Sequence, residues 1–325
     1  MPGIGTFISA GRSLPQAVER VRLAESLGYD STFVTHIAGR DSLTVLATYA
    51  AHTERIKLGT GVLPIYSRTP AATAQTAATI DEASGGRMVL GVGVSHRITV
   101  EAWYGQTIDR PVAEMREYVG AMRAMFRGED PPEGERWPTK FRFMGYDVRP
   151  ELPVYIAALS PNMLRLAGEI GDGVLLWLCD PPYVRDVVIP EVTKGRERAG
   201  KGLEGFDIVP AVPAAVTDDR AKTLDRVRGD LVTYLSLPFY RSMLERSGFG
   251  DEIASFDEGI AAGDVDRAKA AMSEPMLDSL GGFGAADDVR NAVTRYLDAG
   301  ATSPGVSPVP TADFDATLEA GSELI

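Results

Sequence analysis

The chain has 325 residues, of which 44% are hydrophobic, and a formal net charge of −12 at pH 7. Its length and apolar content suffice for a large buried core, and its acidic balance argues against nucleic acid or an anionic membrane as a partner. The only cysteine, Cys179, excludes an intrachain disulfide and a cysteine-based metal cluster. The three histidines are far apart and lack metal-ligand spacing, so we predict no metal site.

The sequence shows no pattern typical of a targeting signal or a membrane span. The N-terminus lacks a charged segment followed by an apolar one, which a secretory signal would need. No run approaches the ~18 consecutive apolar residues of a membrane span. We therefore predict a cytoplasmic protein.

Eight segments have the apolar or β-branched character of buried strands, and each is followed by a helical pattern. In chain order the strands are predicted at residues 3–9, 31–36, 55–63, 88–94, 154–158, 173–178, 206–215 and 302–309. The helices are predicted at residues 15–27, 42–52, 70–84, 112–126, 161–168, 182–199 and 286–298, and from Thr311 onward. Prolines at the starts and glycines after the ends support several of these bounds.

Two stretches interrupt this alternation. Residues 128–153 are polar and rich in proline, and we expect them to contain a minor hairpin. Residues 217–279 are charged and helical throughout, with no strand pattern. We predict that this second stretch is an insertion packed outside the main fold.

The repeated strand–helix units decide the fold class. Such units, joined by right-handed crossovers, either close into a barrel or form an open doubly wound sheet. The open sheet would need a dinucleotide fingerprint, but Gly91-Val92-Gly93 lacks the third glycine and lies on the fourth strand rather than the first. We therefore predict an α/β fold, a (β/α)8 TIM-type barrel forming one domain over residues 1–325, with the helical insertion at about 217–279.

Glycines near the ends of strands 55–63 and 88–94 mark the strongest candidate site. In a barrel the chemistry lies at the carboxyl ends of the strands. Glycine inside a strand indicates a bulge or a close backbone approach, and Gly59 and Gly61 are followed on the next strand by Gly93. We interpret these small residues as a floor on which a flat cofactor lies against the backbone. An ordinary twist at a barrel corner is the alternative.

Other strand ends supply polar groups. His36 closes strand 31–36, where a neutral imidazole could donate or accept a hydrogen bond, although a lone histidine can equally be structural. Ser160 and Pro161 begin a helix directly after a strand, a pattern that leaves N–H groups free for an anion but is common in helices generally. Arg68, after Tyr66 and Ser67, either adds a cation near that anion or pairs with a surface acid. No Gly-x-Ser-x-Gly or Walker motif supports hydrolysis or ATP chemistry.

Taken together, these motifs resemble the bacterial luciferase-like superfamily, particularly its branch that uses coenzyme F420. The likeness covers residues 4–180 well and residues 281–300 moderately, and the helical insertion carries little of it. The segments that carry it are 27–31, 53–62, 68–70, 75–81, 84–87, 90–93, 158, 160–161, 163–168 and 171–174.

The resemblance implies a TIM-type barrel, usually dimeric, that holds a flavin-like ring at the strand ends. It implies a non-prolyl cis peptide between Gly61 and Val62, which would buttress the ring. It also implies a set of cofactor-binding residues: Gly61, Val62, Leu63, Gly93, Val94, Ser95, Ala157, Ala158, Leu159 and Ser160. Many relatives carry Asp-His after the second strand; here His36 occupies the place of the aspartate, and Ile37 follows it.

The function implied is that of a coenzyme F420-dependent oxidoreductase, which transfers a hydride between the deazaflavin and a small organic substrate. His36 is the candidate catalytic residue, because histidine titrates near neutral pH and could supply or remove a proton. Two alternatives remain open. One is an FMN-dependent luciferase-like monooxygenase, and the other is a flavin- or deazaflavin-binding protein without turnover. We expect a homodimer whose partner is a small-molecule substrate.

Overall fold

The computed structural model describes residues 3–9, 11–145 and 147–325. By their internal contacts these residues separate into two compact units. The first unit holds Phe7–Leu175 and Glu191–Asp207, and the second holds Leu176–Pro190, Ile208–Ile325 and the described part of Met1–Thr6.

The strands within each unit pair in parallel. Their bounds are β1 (Gly5–Phe7), β2 (Ser31–Val34), β3 (Lys57–Thr60), β4 (Leu63–Pro64), β5 (Met88–Gly93), β6 (Val154–Ala157), β7 (Gly173–Trp177), β8 (Asp207–Val216), β9 (Gly282–Gly284) and β10 (Gly305–Pro308). In the first unit the order is β2-β3-β5-β6-β7, and β4 also pairs with β5. In the second unit the order is β1-β10-β8-β9.

Helices connect these parallel strands. Their bounds are α1 (Leu14–Ser26), α2 (Ser42–Ala50), α3 (Pro70–Ala83), α4 (Arg97–Tyr104), α5 (Pro111–Phe126), α6 (Pro161–Ile170), α7 (Pro181–Tyr183), α8 (Ile189–Arg198), α9 (Arg220–Leu235), α10 (Pro238–Arg246), α11 (Gly250–Ala261), α12 (Val265–Ala270), α13 (Glu274–Leu280), α14 (Ala286–Asp298) and α15 (Phe314–Ser322). A π-helical turn at Val184–Val188 joins α7 to α8. None of the described helices is long and apolar enough to cross a membrane.

All eight predicted strands and the helices after them are present, with ends shifted by a few residues. The stretch from β8 to β9 is helical, as predicted, and consists of α9–α13. Two short elements were not predicted: α4 and the three-residue strand β9, which pairs with β8. The predicted strand 55–63 is divided into β3 and β4. One domain over residues 1–325 stays a prediction.

The prediction of a minor hairpin in residues 128–153 is wrong. The described residues of this stretch, 128–145 and 147–153, form no strand. Its prolines have no N–H to give to a ladder. The backbone N–H groups of residues 135–137 donate instead to the Glu117 carboxylate on α5. A side chain of a neighbouring helix thus takes the bonds that a second strand would have taken.

The turn between α2 and β3 is held by one carboxylate. Glu25, at the end of α1, accepts hydrogen bonds through Oε1 from the N–H groups of Glu54, Arg55 and Ile56, at 2.9, 2.7 and 3.0 Å. Burial acts to raise the pKa of Glu25, but these three N–H groups outweigh it and hold the pKa below its usual value. The bond set therefore favours the charged form and ties the start of β3 to α1.

Replacing Glu25 with Gln tests this anchor. Glu25→Gln should lower the free energy of unfolding at pH 7 by about 1–3 kcal/mol, because the glutamine oxygen accepts the same N–H groups without the charge that strengthens those hydrogen bonds. A carboxyl whose native pKa is lowered stabilises above its unfolded pKa of about 4.3, and this contribution disappears as the pH falls through the native pKa. The difference between variant and wild type, measured by urea unfolding, should therefore shrink toward pH 3.

Glu19→Gln is the matched control, because Glu19 is an exposed residue of the same helix. Its effect should stay within about 0.5 kcal/mol at either pH. Equal effects of the two substitutions at pH 7 would contradict the anchoring role of Glu25.

Candidate active site

The predicted cofactor-binding residues lie together in the first unit, at or just beyond the carboxyl ends of β3, β5 and β6 or on β4. The register places Leu63 beside Val92 and Pro64 beside Gly93, and Val92 beside Ile156. Three neighbouring strand ends therefore lie side by side, over about 10 Å at the usual strand spacing. Seven of the ten residues are half-buried: Gly61, Val62, Val94, Ser95, Ala157, Leu159 and Ser160. Leu63, Gly93 and Ala158 are buried.

The peptide bond between Gly61 and Val62 is cis, which confirms the geometry that the resemblance implied at this position. The N–H of Gly61 donates to the carbonyl of Val34 at 2.8 Å, and the N–H of Ile65 donates to the carbonyl of Gly93 at 2.9 Å. Both sides of the segment are thus bonded to neighbouring strands.

The missing side chains of Gly61 and Gly93 make room for side chains of the protein. A Cβ added to Gly93 would lie 2.8 Å from Cγ2 of Val62 and 3.2 Å from Cβ of Ala157. A Cβ added to Gly61 would lie 2.9 Å from both Cβ of Phe33 and Cε1 of Phe7. Gly93 is buried, so the exposed part of the floor is formed by Gly61 and the other half-buried residues of the set. Contact between a ligand and either glycine stays a prediction.

Two local conformations distinguish the ends of β5 and β6. Ser95, which directly follows Val94, has φ +60°. Few non-glycine residues occupy this left-handed region, and those that do are found often at functional sites. Ser160 caps α6 by accepting a hydrogen bond from the N–H of Met163 at 3.4 Å, and Pro161 is the first helical residue. The predicted helix start is confirmed. The helix itself offers no acceptor to the N–H of Asn162, which suits an anion at this end.

His36 lies in the loop after β2, two residues beyond Val34, rather than closing the strand. Because Val34 pairs with Thr60, this loop follows β2 beside the segment that begins at Gly61. The His36 side chain is 12% exposed. Burial lowers the pKa of His36, the nearby Asp41 acts to raise it, and Arg68 lowers it further. The imidazole is therefore neutral at pH 7.

Arg68 pairs with an acid of the protein. Its guanidinium donates to Oδ2 of Asp41 at 3.0 Å. The hydroxyl of Ser67 donates to the carbonyl of Pro64 at 2.7 Å, and that of Tyr66 donates to the Glu114 carboxylate. Of the two alternatives for Arg68, these contacts support pairing with an acid of the protein.

The other two histidines differ in position, since His52 follows the end of α2 and His96 directly follows Ser95. His52 is exposed, and its Nδ1 contacts the carbonyl of Thr48 at 2.8 Å. His96 precedes α4 as its N-terminal flanking residue, and burial lowers its pKa. Among the residues that the structure describes, no group of three or more potential metal ligands comes together.

The sequence interpretation missed the surroundings of His36. Ser42 was predicted only as the first residue of helix 42–52, yet Asp41 and Ser42 both lie against the Nδ1 side of the imidazole, at 3.8 Å for Asp41 Oδ2 and 3.0 Å for Ser42 Oγ. The available signal was spacing, because a helix N-terminus follows His36 by only six residues. A short loop of this kind can fold its end back on its start.

The packing at Gly93 predicts the effect of one added methyl group. Gly93→Ala should lower the free energy of unfolding by about 1–3 kcal/mol, because Val62 must move to avoid overlap. The double variant with Val62→Ala should recover part of this loss, since the two positions contact each other. Chemical denaturation of the four proteins of this cycle gives the coupling energy.

Gly120→Ala is the control for this cycle. Gly120 lies inside α5, and nothing lies within 4 Å of an added Cβ. This substitution should be neutral or stabilise by up to about 1 kcal/mol through helix propensity. A Gly93→Ala variant as stable as Gly120→Ala would contradict the close packing of Val62.

Comparison with known proteins places this arrangement in a family. The family model described as luciferase-like monooxygenase matches residues 1–303. A 5,10-methylenetetrahydromethanopterin reductase of Archaeoglobus fulgidus is 33% identical over 290 residues, which cover 87% of this chain and 86% of the relative. A putative coenzyme F420-dependent oxidoreductase of Mycobacterium tuberculosis is 29% identical over 308 residues, covering 87% of this chain and 88% of the relative.

A solved structure with a similar fold gives the fold class. The coenzyme F420-dependent tetrahydromethanopterin reductase of Methanopyrus kandleri matches with a TM-score of 0.84 at 24% identity, over 99% of this chain and 97% of that one. The predicted TIM-type α/β fold class is confirmed. Together with the family match over most of its length, this shows that the chain belongs to the luciferase-like monooxygenase family.

Proposed function

We propose that this protein is a coenzyme F420-dependent oxidoreductase that transfers a hydride between the deazaflavin and a small organic substrate. The observation that carries the proposal is its similarity, over most of its length, to the mycobacterial protein and to the archaeal reductases named above. The enzyme class follows from the same relatives.

The residues present fit such a cofactor. The half-buried residues Val62, Val94 and Ala157 form an apolar strip at the ends of β4, β5 and β6. Their short side chains give a surface on which a planar ring could lie. Ser160 lies three residues beyond the end of β6 and caps α6, and the N-terminus of this helix suits the phosphate of a cofactor tail. We assign the ring to the strip and the phosphate to this helix end.

Bound F420 supplies or accepts the hydride, and that chemistry belongs to the cofactor. The protein holds substrate and ring in contact, which alone supplies much of the rate. We assign to His36 a contact with the substrate, because it lies beside the Gly61–Val62 segment and is neutral. A neutral imidazole can stabilise charge that develops on a substrate oxygen or nitrogen by donating a hydrogen bond.

Cofactor titration tests the proposal. Quenching of F420 fluorescence by the purified protein should show saturable binding, whereas FMN should bind more weakly, because related proteins are described as coenzyme F420-dependent. Oxidation of reduced F420 should then be followed with a panel of carbonyl and enone compounds.

The alternatives predict different results. Preferred binding of FMN, with oxygen consumption in the presence of reduced flavin, would indicate an FMN-dependent monooxygenase instead. Tight F420 binding with no oxidation across a broad panel would indicate a binding protein without turnover. Each result would overturn the proposed activity.

The role assigned to His36 has its own test. His36→Ala should lower kcat by about 100-fold, the usual loss for a group that transfers a proton or donates a hydrogen bond in the transition state. The Kd for F420, measured by fluorescence, should change little. His52→Ala is the matched control, since His52 is exposed and lies outside the site. Unchanged turnover in His36→Ala would remove His36 from the mechanism.

Assembly and location are further parts of the proposal. We infer a homodimer from the resemblance to a usually dimeric superfamily, and a cytoplasmic location from the similarity to the archaeal reductase and the mycobacterial oxidoreductase named above. Size-exclusion chromatography with light scattering should give twice the mass of one chain. A monomer at micromolar concentration would contradict the dimer.

A further inference from the structure

The Nδ1 atom of His36 lies against the first residue of α2. The backbone N–H of Ser42 donates to Nδ1 at 3.3 Å, and the Ser42 hydroxyl lies 3.0 Å from the same nitrogen. Ser42 is completely buried, and its N–H has no carbonyl to bond within the helix because it belongs to the first turn. His36 therefore supplies an acceptor that the helix end lacks.

This contact distinguishes between the two neutral forms of the ring. An N–H group can only donate, so the nitrogen that faces it must carry a lone pair rather than a proton. A neutral imidazole has one proton, which in this arrangement lies on Nε2. The hydroxyl of Ser42 can adapt to either form, so the backbone group alone makes the choice.

The charged groups around the ring oppose one another. Asp41 Oδ2 lies 3.8 Å from Nδ1, too far for a hydrogen bond, and by charge alone would favour a proton there. That oxygen already accepts from Arg68, and Oδ1 accepts from the N–H and hydroxyl of Thr44. Asp41 and Arg68 are the charged groups that act on His36. The Asp41 carboxylate is thus occupied elsewhere, and the N–H of Ser42 determines the occupancy of Nδ1.

We propose that Ser42 is a positioning residue whose backbone N–H keeps neutral His36 as the Nε2–H form, so that His36 offers a substrate a hydrogen-bond donor and no basic nitrogen. The consequence for catalysis rests on the proposed function. It narrows the substrate class to molecules whose reacting group ends in an acceptor, such as a carbonyl or imine. The proton that completes such a product then comes from solvent, because a neutral imidazole that gave up its Nε2 proton would be left as an anion.

A proline at position 42 removes the N–H with little effect on the helix. Proline is favoured at the first helical position, where its missing N–H is not needed. The preceding residue, Asp41, has φ −59° and ψ 119°, which a residue before proline readily adopts. Ser42→Ala removes the hydroxyl and keeps the N–H, so the pair of variants separates the two groups.

Nuclear magnetic resonance of ring ¹⁵N-labelled histidine reports the tautomer directly. The chain has only three histidines, and the signals of His36 are those missing from His36→Ala. We expect Nε2–H in the wild type and in Ser42→Ala. In Ser42→Pro we expect protonation at Nδ1, since Asp41 is near and no donor opposes it, together with a raised pKa of His36. The fall in kcat with an active carbonyl substrate should be about 10-fold larger in Ser42→Pro than in Ser42→Ala.

The outcomes separate this inference from the proposed function. A wild-type ring protonated at Nδ1, or a Ser42→Pro ring that keeps the Nε2–H form with unchanged pKa, would overturn the role of Ser42. These measurements need no cofactor, so failure to bind F420 would overturn the function and leave the tautomer assignment standing. Thermal unfolding of each variant shows whether Ser42→Pro folds. If Ser42→Pro does not fold, the tautomer of His36 in the wild type still tests the role of Ser42. Ser42→Gly, which keeps the N–H, should also keep the Nε2–H form.

Discussion

Close contact between β3 and its neighbours, possible only where side chains are missing, is the constraint on which the site depends. Phe33 pairs with Gly59 across β2 and β3, and a Cβ on Gly59 would lie 2.4 Å from the Phe33 ring. The Phe33 ring stacks on the ring of Phe7, with centroids 5.0 Å apart. The Cβ of Phe33 leaves no room for a side chain on Gly61. Large aromatic rings therefore occupy the space that two glycines leave, which keeps packing dense without separating the strands.

The same lack of room for side chains is found between β3 and β5 and beneath Val62. Gly91 lies so close to β3 that a Cβ would be 2.0 Å from the carbonyl oxygen of Thr60. The hydroxyl of Thr60 donates to the carbonyl of Gly91 and accepts from its N–H, at 2.7 and 2.9 Å. Two residues on, Gly93 admits Val62. The positions of Val62 and of the strand ends around it thus follow from interior packing, and a ligand would rest on a surface that was already rigid.

Elements fixed by neighbouring residues in the sequence could be predicted, whereas elements fixed by distant residues could not. Helix 286–298 was placed at its observed bounds, because its apolar face and the glycine that follows it are sequence features. The cis peptide between Gly61 and Val62 was expected from the family resemblance and not from periodicity, and the division of the predicted strand 55–63 into β3 and β4 was not predicted. The hairpin in 128–153 failed because the Glu117 carboxylate, on α5, takes the N–H groups that local patterns would have assigned to a second strand.

The sequence by itself determined the alternation of strands and helices, the glycines at the strand ends, the start of α6 at Ser160 and the presence of His36 near a strand end, because each of these depends on neighbours within a few positions along the chain. Only the tertiary structure decided what fills the space beside Gly61 and Gly93, which acid pairs with Arg68 and which nitrogen of His36 carries the proton. Those outcomes depend on atoms brought within 4 Å by folding, and the spacing of residues in a sequence contains no such distances.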